Sequence, residues 1–157
     1  MLIDMDDFDR EILTILQRDA AASVADIANQ VGLSTTPCWR RIQNLESKGV
    51  IKGRSVRLDP VSLNLGMTVF AEVRAPHHHA NWRDRFAEAV DQIPEIVELF
   101  RLSGSVDYLM KIVVPDLNTY DEIYRQLVEQ VEFTSINSTF VMETVKSTTT
   151  LPLDYTE

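Results

Sequence analysis

The spacing of apolar residues divides this 157-residue chain into two parts with different periods. Near the start, Phe8, Ile12, Leu13, Ile15 and Leu16 recur at helical intervals, and Asp6, Asp7 and Asp9 gather where acids complement a helix N-terminus. Val24, Ile27, Ala28 and Val31 then fall at i, i+3, i+4 and i+7, one face of a short helix that Gly32 is suited to end as a left-handed cap. A third helix can open at Ser34 or Thr36, both capping residue types, with Pro37 in a first turn where its missing N–H costs little. Cys38, Ile42 and Leu45 form its apolar face. The pattern predicts a helix-turn-helix, followed after Gly49 by a partly alternating run, VIKGRSVRLDP, that reads as a two-stranded wing.

Beyond Pro60, Asn64 and Gly66 the period changes. GMTVFAEVRA alternates as a strand, and ANWRDRFAEAVDQI carries Trp82, Phe86, Ala89, Val90 and Ile93 at helical spacing. EIVELFRLSG and DYLMKIVVPD read as two strands around a short turn. LNTYDEIYRQLVEQV puts Leu117, Tyr120, Ile123, Tyr124, Leu127 and Val131 on one helical stripe, and INSTFVMETVK reads as a last strand. The order β-α-β-β-α-β predicts a ferredoxin-like arrangement, an antiparallel four-stranded sheet with two helices on one face. Phe70, Val113, Phe140 and Met142 are expected on the other face, which a second copy of the chain would close. The expected class is therefore α+β: a winged helix-turn-helix over residues 1–60, a boundary at 61–66, and a ferredoxin-like domain over 67–157.

Charge sharpens this division. A net charge of −9 opposes binding to a polyanion. Yet from Leu33 to Arg57 the bases Arg40, Arg41, Lys48, Lys52, Arg54 and Arg57 stand against Glu46 alone, while from Leu58 onward acids outnumber bases more than two to one. The outward face of the third helix shows Thr36, Arg40, Gln43 and Ser47, with Trp39 and Arg41 on its flanks and Ser34 and Thr35 at its entry. These are groove-reading and phosphate-binding side chains, and Lys52, Arg54 and Arg57 would add the wing. Trp39 could equally seal the rim of the domain.

Other chemistry is sparse. The single cysteine, Cys38, can make no internal disulfide and reads as a small core residue. No acid sits at catalytic spacing from a His, Ser or Lys, and there is no Gly-rich phosphate loop, so neither an enzyme nor a cofactor is expected. His77, His78 and His79 raise a metal-responsive repressor as the alternative, although successive loop imidazoles rarely converge on one ion, and no metal site is assigned. A third possibility is a small-molecule binding module whose helix-turn-helix contacts protein. No run approaches the ~20 apolar residues of a membrane span, and the acidic start is unlike a leader, so a cytoplasmic protein away from membranes is expected. The loop Ser103-Gly104-Ser105-Val106-Asp107 suits an amino acid: Gly104 permits close approach, backbone N–H groups and Ser105 can hold a carboxylate, and Asp107 can pair with an ammonium group. It suits a plain hairpin turn equally well.

FDREILTILQRDA, VGLSTTPCWRRIQNLESKGVI, LDP, SGSVDYLMKIVVPD and VMETVKSTTTLPL, in this order and nearly end to end, resemble the Lrp/AsnC family of feast/famine regulators. STTPCWRRIQNLE, PHHHANW, VDYLMK and TTTLPL are similar to its L-cysteine-responsive branch. The resemblance implies a transcriptional regulator that binds a double-stranded DNA operator, dimerises through the ferredoxin-like domain, assembles further to tetramers or octamers, and takes an amino-acid effector, L-cysteine in the branch just named, between those domains. It also implies that Ser103 to Asp107 is the effector loop and that Arg101, Leu117, Phe140 and Val141 complete the pocket, some from the neighbouring subunit.

Overall fold

The computed structural model describes residues 4–76 and 80–155, so the three consecutive histidines lie outside the described residues. The first helix, α1 (Asp7–Arg18), opens on Asp6, whose carboxylate accepts the Asp9 N–H at 2.9 Å. Ser23 caps α2 (Val24–Val31) by accepting the Asp26 N–H at 3.1 Å. Gly32 ends α2 at φ 72°, a left-handed conformation that a Cβ would strain, and this turn sets the direction of α3 (Thr35–Ser47). Ile12, Leu13, Ile27, Ala28, Val31, Ile42, Leu45 and Cys38 interlock between the three helices. Burial pushes the Cys38 thiol above its ordinary pKa, as expected of a core residue.

The two-stranded wing is not formed among the described residues. After α3, Val50 and Ile51 return N–H bonds to the Leu45 carbonyl, and the chain from Lys52 to Leu58 then runs on without a strand ladder. Val56 is 83% exposed and Leu58 68%, so this stretch has no apolar face held against a partner strand.

The second unit opens with a 3-10 turn at Val61–Leu63, where Asp59 accepts the N–H groups of Val61 and Ser62. Its elements are β1 (Met67–Arg74), α4 (Ala80–Asp91), β2 (Ile96–Arg101), β3 (Tyr108–Val114), α5 (Leu117–Gln130) and β4 (Ser135–Phe140). All pairings are antiparallel in the order β2-β3-β1-β4, the ferredoxin-like topology. Alternation gives the sheet two faces: Val69, Ala71 and Val73 of β1 and Tyr108, Met110, Ile112 and Val114 of β3 are buried with Phe86, Ile123 and Leu127 of the helices. Phe70, Leu109, Val113 and the Lys111–Glu98 ion pair (3.0 Å) lie on the opposite face, which these helices do not cover. Phe140, expected on that face, packs instead on the helix side, its ring 5.4 Å from Tyr120. Register explains the difference, since Phe140 sits opposite the inward-facing Val69. Met142 lies beyond the end of β4 and is 96% exposed.

The chain separates into two compact units, Met1–Arg57 with Lys146–Glu157, and Leu58–Val145. The C-terminal tail from Lys146 on thus groups with the helix-turn-helix. Gln17 holds Leu151 at both backbone groups, its amide donating to the carbonyl at 3.2 Å and its oxygen accepting the N–H at 2.6 Å. Leu153 packs against the first unit's core. We predict that Leu153→Ala lowers the unfolding free energy of the helix-turn-helix by about 1–2 kcal/mol, as expected for losing a half-buried leucine side chain. Urea denaturation in a Trp82→Phe background, where Trp39 is the one fluorescent tryptophan, would measure this, and an unchanged midpoint would show that the tail adds nothing.

Candidate functional site

Thr35, Thr36, Trp39, Arg40 and Gln43 are all exposed along α3, and Trp39 at 52% does not seal the domain. Cys38, Ile42 and Leu45 turn the opposite side into the core, so helical periodicity alone fixes which residues face outward. Ser34 precedes the helix and makes no side-chain capping bond, although its carbonyl accepts the Cys38 N–H at 3.2 Å. Lys48, Lys52 and Arg57 are exposed after α3. Arg54 is tied down by donating to the Ala20 carbonyl at 3.3 Å and approaching Glu46 at 3.8 Å, and Gln43 donates to Glu46 at 2.8 Å.

Arg41 is placed differently. One guanidinium nitrogen lies 2.8 Å from carboxylate oxygens of both Asp6 and Asp9, and the group sits over the Phe8 ring at 5.3 Å. Asp9 is a buried acid, only 8% exposed. Hydrogen bonding to Asp9, opposed by desolvation, heads the causes that raise the Arg41 pKa. The acids at the start of α1 read in sequence as capping residues and dipole partners. Their link to Arg41 depends on how α1 crosses α3, which local spacing does not contain.

In the second unit, Ser103, Gly104 and Ser105 form an exposed turn between β2 and β3, with Gly104 at φ 130°. The Leu102 N–H closes it onto the Asp107 carbonyl at 2.8 Å. Asp107 also fastens the turn to the end of β1: its N–H donates to the Val73 carbonyl at 3.0 Å and its carboxylate accepts the Ala75 N–H at 2.9 Å. Val106 is half-buried beside it, and Arg101 pairs with Tyr108 at the same end of the sheet. Leu117, Phe140 and Val141 belong to the other end. The Val141 N–H bonds the Thr68 carbonyl at 2.9 Å, and Leu117, 56% exposed, begins α5 just beyond Val114, the partner of Met67. Thr68 and Val73 are five strand residues apart, roughly 16 Å at about 3.3 Å per residue. The structure therefore brings Arg101 and Ser103 to Asp107 together, and gathers Leu117, Phe140 and Val141 separately. Among the described residues no group of His, Cys, Asp and Glu could hold a metal ion, and no helix is long and apolar enough to cross a membrane.

A helix-turn-helix with an exposed polar and basic second helix, joined to a ferredoxin-like domain with a polar turn at one sheet end, defines a two-domain DNA-binding regulator with a ligand-binding half. Profiles of known families agree: the AsnC-type helix-turn-helix domain matches residues 5–46 and the Lrp/AsnC ligand binding domain residues 68–151. The chain belongs to the Lrp/AsnC family of DNA-binding transcriptional regulators. It is 44% identical over 156 residues to the glutamate uptake regulatory protein of Zymomonas mobilis, covering 99% of this chain and 95% of that one. The crystal structure of an AsnC family transcriptional regulator from Agrobacterium tumefaciens superposes with a TM-score of 0.92 at 52% identity, over 96% of this chain and 99% of that one. A transcriptional regulator from Neisseria meningitidis, solved as an L-Met complex, gives 0.91 at 32% identity, over 96% and 97%.

Three helix-capping and turn aspartates supply a pH dependence. Asp6 is held below the ordinary 3.8, first by the Asp9 N–H and then by Arg41; the Thr119 N–H does the same for Asp116, and the Ser62 hydroxyl for Asp59. A carboxyl with a lower pKa folded than unfolded contributes stability that is present above pH ~4 and lost as pH falls through the folded value. Urea midpoints should therefore decline as the pH falls below about 4. Asp6→Asn keeps a capping side chain but loses the charge, so it should flatten that decline for the first unit. An acid limb identical to that of the parent protein would remove Asp6 from the account.

Proposed function

We propose that the protein binds a roughly palindromic operator as a dimer, with α3 of each chain in a major groove and half-sites about one helical turn, or a multiple of it, apart. Thr35, Thr36, Trp39, Arg40 and Gln43 meet the bases and adjacent backbone, while Ser34, Lys48, Lys52, Arg54 and Arg57 bind phosphates. The effector is an amino acid. Its carboxylate is held by the Ser103–Ser105 turn and its ammonium group by Asp107, beside Arg101 and Val106. Leu117, Phe140 and Val141 of a second copy supply the rest of the pocket, and the two sheets meet through the faces bearing Phe70, Leu109 and Val113. The observation that carries this reading is the placement of the two residue groups at opposite ends of β1, where one chain cannot close a small-ligand site.

Among amino acids, L-cysteine is the first candidate, on the resemblance of STTPCWRRIQNLE, VDYLMK and TTTLPL to the cysteine-responsive branch. L-methionine and L-glutamate follow, from the L-Met complex and the glutamate uptake regulator named above. Tetramers or octamers of the dimer hold several readers on one operator, and effector binding shifts that assembly. A coupling of ~1–3 kcal/mol is enough to change operator affinity ~5–150-fold. The protein works in the cytoplasm, where the operator is.

A thermal-shift screen of all amino acids identifies the ligand, since saturation at 100 times its dissociation constant stabilises the folded chain by ~2.7 kcal/mol. Gel-shift titration then separates the two halves. Arg40→Ala and Gln43→Ala should each weaken operator binding by ~1–3 kcal/mol without altering assembly. Asp107→Asn should leave operator affinity intact and abolish the effector response, because an amide still accepts the Ala75 N–H but carries no charge for an ammonium group. A normal effector response from Asp107→Asn would refute the site.

A further inference from the structure

Two adjacent arginines on α3 sit in opposite electrostatic settings. Arg40 is exposed with the reading face, while Arg41 is half-buried between two carboxylates and an aromatic ring. We propose that Asp6 and Asp9 hold Arg41 out of the DNA contact, so that Arg41 positions α3 against α1 and Arg40 alone of the pair meets the DNA. This rests on α3 as the DNA reader.

Charge makes the first part of the case. Two carboxylates around one guanidinium leave the cluster at a net −1, so an approaching phosphate meets repulsion where an unpaired arginine would attract it. The cost of release makes the second. Swinging Arg41 onto a phosphate would leave Asp9 buried without its partner and uncover the Phe8 face. Geometry makes the third: the contacts join the start of α1 to the middle of α3, so the ion pairs resist rotation of α3 about its axis and keep Arg40 and Gln43 aimed outward.

The consequence is specificity. Each arginine free to neutralise a phosphate strengthens binding to every sequence alike, so withdrawing one lowers the general grip while leaving the base-reading residues in place. Arg41 is a positioning residue, and Asp6 and Asp9 set how indiscriminately the reader holds DNA.

Salt titration of the full-length protein tests this, using a duplex selected from a random pool and an unselected duplex of equal length. Arg41→Met should leave the slope of log K against log salt unchanged on both. Asp6→Asn/Asp9→Asn should tighten binding to the unselected duplex and steepen its slope by about 0.9 per bound reader, the signature of one added phosphate contact. Adding Arg41→Met to that double variant should restore the parental slope, which distinguishes a released Arg41 from the mere loss of two acids. A slope flattened by about 0.9 per reader in Arg41→Met would overturn the proposal. Should Arg41→Met not fold by circular dichroism, an unsteepened slope in Asp6→Asn/Asp9→Asn would overturn it equally. Arg40→Ala distinguishes the underlying reading: if it binds DNA as the parent does, α3 is not the reader and both readings fall, whereas weakened binding with a flattened Arg41→Met slope removes this inference alone.

Discussion

Strand β1 sets the spacing that the ligand-binding half depends on. It is central in the sheet, paired with β3 on one side and β4 on the other, and both candidate ligand-binding groups attach to it directly. Asp107 is bonded at Val73 and Ala75, and Val141 at Thr68. A strand is a stiff spacer of ~3.3 Å per residue, so these anchors stay roughly 16 Å apart. In the site proposed above, the polar turn and the apolar group around Leu117 meet across two copies of the sheet. Ligand binding and association would then be one equilibrium, which is the requirement for an effector to alter how readers are presented to DNA.

The helix-turn-helix solves a different problem, that of a small domain with few buried side chains. Its helices are fixed by local devices: Asp6 and Ser23 at two N-termini and Gly32 at a C-terminus. Two longer-range contacts supplement them, the Arg41 pairs with Asp6 and Asp9 and the docking of Leu151 and Leu153 beside Gln17. Both lie at the borders of α1, the helix that presents no reading residue itself. An acidic chain can still bind DNA because its bases are gathered on and just after α3, whereas the excess of acids falls in the sequence beyond Leu58.

What the sequence displayed was periodicity. β1, β3 and α5 of the second unit follow from a spacing of two or of 3.6, and the outward set on α3 follows from the burial of Cys38, Ile42 and Leu45. What it hid were relations between distant segments. The tail TTTLPL carries no pattern that points to α1, because a Gln17 amide can hold any extended backbone. VIKGRSVRLDP alternates weakly, and alternation without a partner makes no ladder. Phe140 reads as outward or inward with equal ease until its register opposite Val69 is known. Arg41 is the same residue type as Arg40, and the crossing of α1 over α3 gives it different surroundings.

The shared ligand site is the central claim, and mixed dimers test it most directly. Asp107→Asn removes the charge that pairs with the ammonium group in one chain and Leu117→Asp spoils the apolar group of another, so either homodimer has two damaged sites. A heterodimer of the two variants places both substitutions in one site and leaves the second intact. With the amino acid found by the thermal screen, calorimetric titration should give no binding to either homodimer and one site per heterodimer. A heterodimer that fails to bind, or a single variant that retains its sites, would contradict a pocket built from two chains.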